Sequence, residues 1–316
     1  MEYIAAGYNM LTDVTFADGT QICSTPGGSW YAAGGLVFWR KSVAYVGTAG
    51  PDFEQYYGKW FRENGIDCRV EPCLPETLRY SLVYRQDGIW TESCSQGEDY
   101  EAKAKDIGRI TPAMIAACAG PETKGIYIEA SLSAKIADGF EELKALVPQA
   151  MLLWEINGDD LRDPACKEAI ESRIAQVDAF SLNYDEACGF FGTSDPDAIL
   201  TGLRAYGNPC FFRLGEAGAG LVTADGAVFA SAIGLSDSVD PTGCGNCSTA
   251  ASLIGLAEGY PAERTVLMAN LAASYCARQT PPCPKADDAF RAQMEQKLEE
   301  LLGSTAFTYD ALPELR

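Results

Sequence analysis

The chain of 316 residues and 33.9 kDa is long enough to bury a sizeable core as one large α/β domain or two medium ones, which excludes a mini-protein stapled by disulfides. Forty-four Asp and Glu against 24 Lys and Arg give a net charge of −20 and an isoelectric point near 4.3, so the overall field repels nucleic-acid phosphates and anionic membrane surfaces. There is no histidine, which removes Ser-His-Asp triads, Cys-His dyads, His-ligated metals and a His general base, and leaves acid–base work to carboxylates, Lys, Cys, Tyr or water.

In chain order, apolar segments at residues 3–7, 43–47, 125–129, 150–155, 179–182 and 209–214 read as strands. Helical patterns intervene at residues 29–40, 53–64, 133–146, 163–175, 184–191 and 195–205. This alternation predicts βαβ units around a largely parallel sheet. The rhythm breaks at residues 11–23 and 77–90, which read as short antiparallel strands turning at Asp18-Gly19 and Asp87-Gly88. The two insertions are expected to pair into a small sheet forming a lid over one edge, at about residues 11–25 and 77–92. A second β-rich stretch, residues 220–230 with a turn at Asp225-Gly226, precedes a long helical C-terminal third. No Pro- or Ser-rich linker divides the chain, so one domain over residues 1–316 is expected.

Twelve cysteines scattered along a long chain, with no basic, apolar leader at Met1-Glu2-Tyr3-Ile4, predict a reducing cytoplasm and small core residues rather than a disulfide framework. No apolar run approaches the length of a membrane span.

The most informative stretch is Asp240-Pro241-Thr242-Gly243-Cys244-Gly245-Asn246-Cys247-Ser248, followed by the apolar-rich residues 249–259. Two glycines beside a helix start let several backbone N–H groups converge on one point, where the helix dipole also favours negative charge. On local sequence alone this is either an anion hole or a Gly-rich turn capped by Thr242 or Asn246. The Cys244-x-x-Cys247 pair, with no histidine and no second pair of matching spacing, is a poor zinc motif, although Cys68 and Cys73 are available elsewhere.

The stretch from Asp240 to Asn246 resembles the D-T-x-G-A-G-D signature of ribokinase-like (PfkB-type) carbohydrate kinases. Gly27-Gly28 followed by residues 43–47, Gly50 and Asp52 resembles the family's N-terminal block. Asn183-Tyr184-Asp185-Glu186 matches N-x-x-E, and Leu214-Gly215-Glu216-Ala217-Gly218-Ala219 matches L-G-x-x-G-A. The blocks occur in the family's order from about residue 3 to residue 280.

The resemblance implies an α/β protein: a three-layer α/β/α ribokinase-like fold with a mostly parallel central sheet and a small β-sheet lid. It further implies transfer of the γ-phosphoryl of ATP to a hydroxyl of a sugar, polyol or similar small alcohol. Gly243, Cys244 and Gly245 would bind the transferring phosphoryl through backbone N–H groups, with Asn246 at the catalytic position. Asp13, Gly27, Gly28 and Glu129 would face the substrate. Arg213, Gly215, Gly218 and Asn270 would lie along the nucleotide. Asn183 and Glu186 would organise Mg²⁺ through its waters, and Asp240 would lie near a monovalent cation such as K⁺. Neither nucleic acid nor membrane is implied as a partner, and a homodimer through the lid is left open.

The chain departs from that pattern at three places. Asn246 stands where the family has an Asp whose carboxylate takes the proton of the attacking hydroxyl, and an amide cannot do so. Loss of general-base help costs about 10²–10⁴-fold, while positioning and electrostatic stabilisation persist. A water, or a carboxylate such as Glu129 or Asp240, is the candidate substitute. Ser29-Trp30-Tyr31-Ala32 replaces the substrate-binding Asn that often follows the paired glycines, and Trp30 reads as core. Arg213 replaces a frequent Thr, placing a cation either near nucleotide phosphates or in a carboxylate pair. The alternative function is a non-catalytic relative that binds a sugar or nucleotide as a sensor or partner. A dinucleotide-binding reading fails because Gly243-x-Gly245-x-x-Ser248 lacks the third glycine and follows a polar segment late in the chain.

Overall fold

The structure is a computed structural model that describes residues 1–86, 90–279 and 283–314. The chain opens with β1 (Tyr3–Tyr8), β2 (Met10–Thr15), β3 (Gln21–Pro26), α1 (Ser29–Val37) and β4 (Val43–Ala49). A π-type turn (Glu54–Gly58) continues into α2 (Lys59–Glu63), followed by β5 (Asp67–Pro72), β6 (Leu78–Tyr84), β7 (Trp90–Cys94), α3 (Glu98–Ile107) and α4 (Pro112–Ala116). The βα alternation resumes with β8 (Gly125–Ala130), α5 (Phe140–Leu146), β9 (Met151–Ile156), α6 (Gly158–Arg162), α7 (Lys167–Ile174), β10 (Ala179–Asn183), α8 (Tyr184–Phe191), α9 (Pro196–Ala205) and β11 (Cys210–Arg213). The hairpin of β12 (Ala219–Thr223) and β13 (Gly226–Ala230) precedes α10 (Cys244–Ala257), α11 (Ala262–Ala277), α12 (Asp288–Leu302) and β14 (Thr308–Tyr309).

Ten strands form one sheet in the order β14-β13-β12-β11-β10-β9-β8-β1-β4-β5. Its strands from β11 to β5 are parallel, and β12, β13 and β14 are antiparallel. The central strands carry side chains to two covered faces, so they read as apolar runs rather than as alternating patterns. Tyr3 and Ala5 of β1 point into a core shared with α1, α10, α11 and α12, whereas Ile4 and Ala6 enter a second core with α5, α7, α8 and α9. A three-layer α/β/α arrangement follows directly from that alternation.

A separate four-stranded sheet runs β3-β2-β6-β7, built from the two insertions that broke the sequence rhythm. Its β2 pairs antiparallel with β3 but parallel with β6, so the two insertions meet side by side rather than as one meander. Leu74, Leu78 and Tyr80 bury their apolar surface there against Ala104 of α3. The turn expected at Asp87-Gly88 lies outside the described residues. Residues 53–64, expected as one helix, are divided between the π-type turn and α2, and residues 133–146 and 163–175 each begin with a 3₁₀ turn before α5 and α7. All twelve cysteines are unpaired, and no helix among the described residues is long and apolar enough to cross a membrane.

At the far end of α10 from its glycines, Glu258 gathers four partners from separate elements. Its carboxylate accepts from Tyr3 (2.9 Å), Arg40 (3.1 and 2.5 Å), Lys124 (3.1 Å) and Tyr260 (2.7 Å). Burial opposes its charge, but the hydrogen bonds from Arg40, Tyr260 and Lys124 outweigh burial and hold the carboxyl far below the ordinary carboxylate range. A depressed native pKa gives stability that is complete above the unfolded value and is lost as pH falls. Glu258→Gln is therefore expected to cost about 1–3 kcal/mol at pH 7, with the gap from the native chain narrowing as urea melts are moved from about pH 5 to about pH 3.

Candidate active site

The carboxyl ends of β8, β9, β10 and β11 reach one edge of the large sheet, the edge where doubly wound folds open a ligand crevice. Strand register aligns the polar groups there: Glu129 of β8 stands opposite Glu155 of β9, Glu155 opposite Ser181 of β10, and Asn183 of β10 opposite Arg213 of β11. The first turn of α10 faces this row.

α10 starts abruptly because Gly243 is its N-cap with φ 77°. The ring of Tyr31 occupies the space that a Cβ on Gly243 would need, so both conformation and packing demand glycine. No side chain among the described residues caps the helix. The N–H of Cys247 bonds the carbonyl of Gly243 at 2.9 Å, and that of Cys244 bonds Pro241 at 3.2 Å. The intervening N–H groups of Gly245 and Asn246 are the ones left for a ligand, at the positive end of a 14-residue helix.

Asp240 anchors the loop before this helix. It is fully buried, its Oδ1 accepts from the N–H of Thr242 at 3.0 Å, and its Oδ2 is buried with no hydrogen-bond partner among the described residues. A buried carboxylate oxygen without a donor is costly unless a cation meets it.

Arg213 proves to be a paired cation. Its guanidinium forms an ion pair with Glu155 and lies 3.4 Å from Glu186, and it packs against Gly245 where a Cβ would otherwise stand. Burial penalises the charge of Arg213, but the two carboxylates outweigh burial and keep its pKa above the ordinary value. The carboxylate-pair alternative for this residue is thus realised at the helix start itself.

Asn183 and Glu186 form a reciprocal capping box at the start of α8: Glu186 N–H donates to Asn183 Oδ1 at 2.9 Å, and Asn183 N–H donates to Glu186 Oε2 at 2.7 Å. That geometry leaves Glu186 Oε1, beside Gly158, as the carboxylate oxygen free of the box. Asn270, buried on α11, donates to the carbonyls of Ala230 (2.9 Å) and Ser231 (3.1 Å) and so fixes α11 against the end of β13. Gly215 and Gly218 shape the turn between β11 and β12, closed by the N–H of Leu214 on Gly218 at 2.8 Å.

On the opposite side of α10, Gly28 has φ 55°, and a Cβ there would lie 2.8 Å from Glu129 Oε2. Glycine therefore admits the Glu129 carboxyl, while Met10 packs over Gly27. Asp13 lies on the lid sheet, where its Oδ1 accepts from the N–H of Ser24 (2.7 Å) and from Arg79 (2.9 Å). The structure thus brings Glu129, Asn246 and Arg213 together at the start of α10, and places Asp13 with Arg79 on the lid.

Glu129 holds the most perturbed carboxyl at this edge. Its Oε2 is buried without a hydrogen-bond partner among the described residues. Burial first, then the Glu155 charge beside it, push its pKa up to about 8, against a smaller opposing effect from the Asn246 amide. The Asn246 amide itself donates to Tyr127 at 2.9 Å. Sequence reasoning missed Glu155, Tyr127, Arg79 and Tyr84. The hydroxyl of Tyr84, at the end of β6, lies 3.3 Å from that of Thr242 and thereby joins the lid to the α10 loop. Glu155 was legible as a second strand-end acid two elements after Glu129, whereas the aromatic pair gave no signal beyond an alternating strand.

Because folded Glu129 keeps its proton to about pH 8 whereas an unfolded carboxyl releases it near 4.5, the folded state binds more protons between these values. Stability from this group falls as pH rises through that window. Glu129→Gln is expected to flatten this portion of the stability–pH curve, with melting temperatures equal to the native chain near pH 5 and higher above pH 8.

The sequence pattern of the pfkB family of carbohydrate kinases matches residues 127–288, which include Glu129 on β8 and the whole of α10. No curated protein gives a significant sequence match. Among solved structures, adenosine kinase from Sinorhizobium meliloti is similar at 19% identity and TM-score 0.71, over 94% of this chain and 100% of its own. A nucleoside kinase from Burkholderia thailandensis, in complex with inosine, is similar at 16% identity and TM-score 0.71, over 96% and 99% of the two chains. An Escherichia coli protein assigned as a ribokinase II, in complex with ATP and Mg²⁺, gives 14% identity and TM-score 0.71 over 95% and 100%. These likenesses establish the ribokinase-like fold over nearly the full length, and with the sequence match they show that the chain belongs to the pfkB family of carbohydrate kinases.

Proposed function

We propose that the protein transfers the γ-phosphoryl of ATP to a hydroxyl of a sugar or similar small alcohol, with Glu129 as the general base in place of the missing Asp. The observation that carries this reading is the Glu129 carboxyl, unpartnered at Oε2, set between Gly28 on the substrate side and Asn246 at the start of α10. A relative bound to ATP and Mg²⁺ supports the donor.

Each residue has a task that its geometry supports. The N–H groups of Gly245 and Asn246, presented by the left-handed turn at Gly243, would meet the transferring phosphoryl at a helix N-terminus. Arg213, balanced by Glu155 and Glu186, keeps this edge from accumulating uncompensated negative charge. Mg²⁺ fits the oxygen donors Asn183 and Glu186 Oε1, where it would neutralise phosphate charge through bound water. The orphaned Asp240 Oδ2 fits a monovalent cation such as K⁺, which would fix the loop ahead of α10. Gly215, Gly218 and Asn270 would border the nucleotide, and Asp13, Gly27 and Gly28 the acceptor, with the lid sheet covering both. Glu129, ionised, would accept the acceptor's proton while Asn246 orients the hydroxyl.

One observation favours a second reading, a ligand-binding protein without turnover: the Asn246 amide is spent on Tyr127 rather than directed at an acceptor. ADP release measured across a panel of sugars, polyols and nucleosides separates the two. The proposal expects turnover by the native chain, with kcat rising as pH increases through about 8 because only ionised Glu129 accepts a proton. Glu129→Gln should lose about 10²–10⁴-fold in kcat, and Asn246→Asp should make the rate nearly independent of pH above about 6. Turnover gained only in Asn246→Asp, with ATP bound but never hydrolysed by the native chain, would overturn the proposal and establish the second reading.

A further inference from the structure

The cysteine pair in the first turn of α10 does not stand alone. The Sγ atoms of Cys247 on α10, Cys276 on α11 and Cys283 ahead of α12 lie within 4.8 Å of one another, and all three side chains are buried. Cys276 Sγ and Cys283 Sγ are 3.8 Å apart. Four thiolates arranged tetrahedrally around an ion at a metal–sulfur distance of about 2.3 Å are separated along each edge by about 3.8 Å. Cys244, one turn before Cys247 on α10, is not one of these three: its thiol donates to the carbonyl of Ala273 at 3.4 Å, three residues before Cys276 on α11.

We propose that Cys244, Cys247, Cys276 and Cys283 form a thiolate site for one Zn²⁺ ion, a structural clamp behind the phosphoryl-binding turn. An all-sulfur donor set in a chain without histidine selects a thiophilic ion, and rotation of the Cys244 thiol from Ala273 toward the three clustered sulfurs supplies the fourth ligand that favours Zn²⁺ over the lower coordination preferred by Cu⁺. Cys283 is held toward the cluster by a left-handed backbone, φ 67°, and its sulfur fits the space left by the missing Cβ of Gly34 on α1. Two of the four ligands sit in the first turn of α10, where the helix dipole offsets part of the thiolate charge. Cys244 is the half-buried member and gives the ion its way in. Binding displaces the thiol protons as Zn–S bonds form, with no change in oxidation state. The ion would tie the start of α10 to the end of α11 and to the segment entering α12, three pieces of chain that otherwise meet there through apolar contact. The ligands are too unevenly spaced in sequence to form a recognisable motif.

The test uses the full chain, freed of metal and reduced under anaerobic conditions with a phosphine. Zn²⁺ is titrated against a chromophoric chelator, and Co²⁺ serves as a spectroscopic probe. The proposal expects one Zn²⁺ per chain, a higher melting temperature with Zn²⁺ but not Mg²⁺, and the sulfur-to-cobalt charge-transfer and tetrahedral bands of a thiolate site. Cys276→Ala and Cys283→Ala should each weaken Zn²⁺ binding by at least about 100-fold, while Cys73→Ala, at an exposed cysteine elsewhere, should leave it unchanged. The proposal is overturned if the native chain shows no thiolate–cobalt band, if Cys73→Ala abolishes binding, or if the reduced chain binds no Zn²⁺ and the isolated protein carries a Cys276–Cys283 disulfide. The cobalt spectrum of the native chain decides the matter even should the buried substitutions prevent folding, and none of these outcomes depends on kinase turnover.

Discussion

The constraint on which this site depends is the uncapped start of α10. A helix whose first N–H groups lack side-chain partners is tolerable only where water or a ligand can reach them, so the chain around it must stay open on one side. Gly243 turns the chain sharply under the Tyr31 ring, Asp240 pins the preceding loop, and Glu258 secures the opposite end of the same helix to α1, β1 and the strand entry before β8. The helix is therefore anchored at both ends with its N-terminus presented to the carboxyl edge of the sheet.

Charge at that edge is arranged in pairs. Parallel register sets Glu129 beside Glu155, and two adjacent buried carboxylates do not both ionise readily. Arg213 pairs with Glu155 on one side, and burial, with the Glu155 charge beside it, leaves Glu129 holding its proton. Arg213 thus distinguishes two neighbouring acids, and Asn246 sets an amide rather than a third carboxylate beside Glu129.

Much of this was legible in the residues. The parallel strands read as apolar runs because both faces are covered, and the two polar interruptions at residues 11–25 and 77–92 became the small sheet because alternation and turn residues marked them. Strand β5 escaped because it is a short, half-exposed edge strand in which only Cys68 and Val70 pack inward, between Asp67, Arg69 and Glu71. Helix α3 escaped because its sequence from Glu98 to Ile107 is nearly all polar and buries little besides Ala104. At the site, glycines and the Asn183/Glu186 pair were visible as local patterns. The Glu129–Glu155 neighbourhood and the three-cysteine cluster were not, since strand order and helix packing, rather than spacing along the chain, bring those residues together.

The most direct measurement is a crystal structure with a non-hydrolysable ATP analogue, Mg²⁺ and an acceptor analogue bound. The account predicts the terminal phosphate against the N–H groups of Gly245 and Asn246, with the acceptor hydroxyl within hydrogen-bond reach of Glu129. A nucleotide bound elsewhere, or an α10 start still sealed with Glu129 turned from the acceptor, would contradict it.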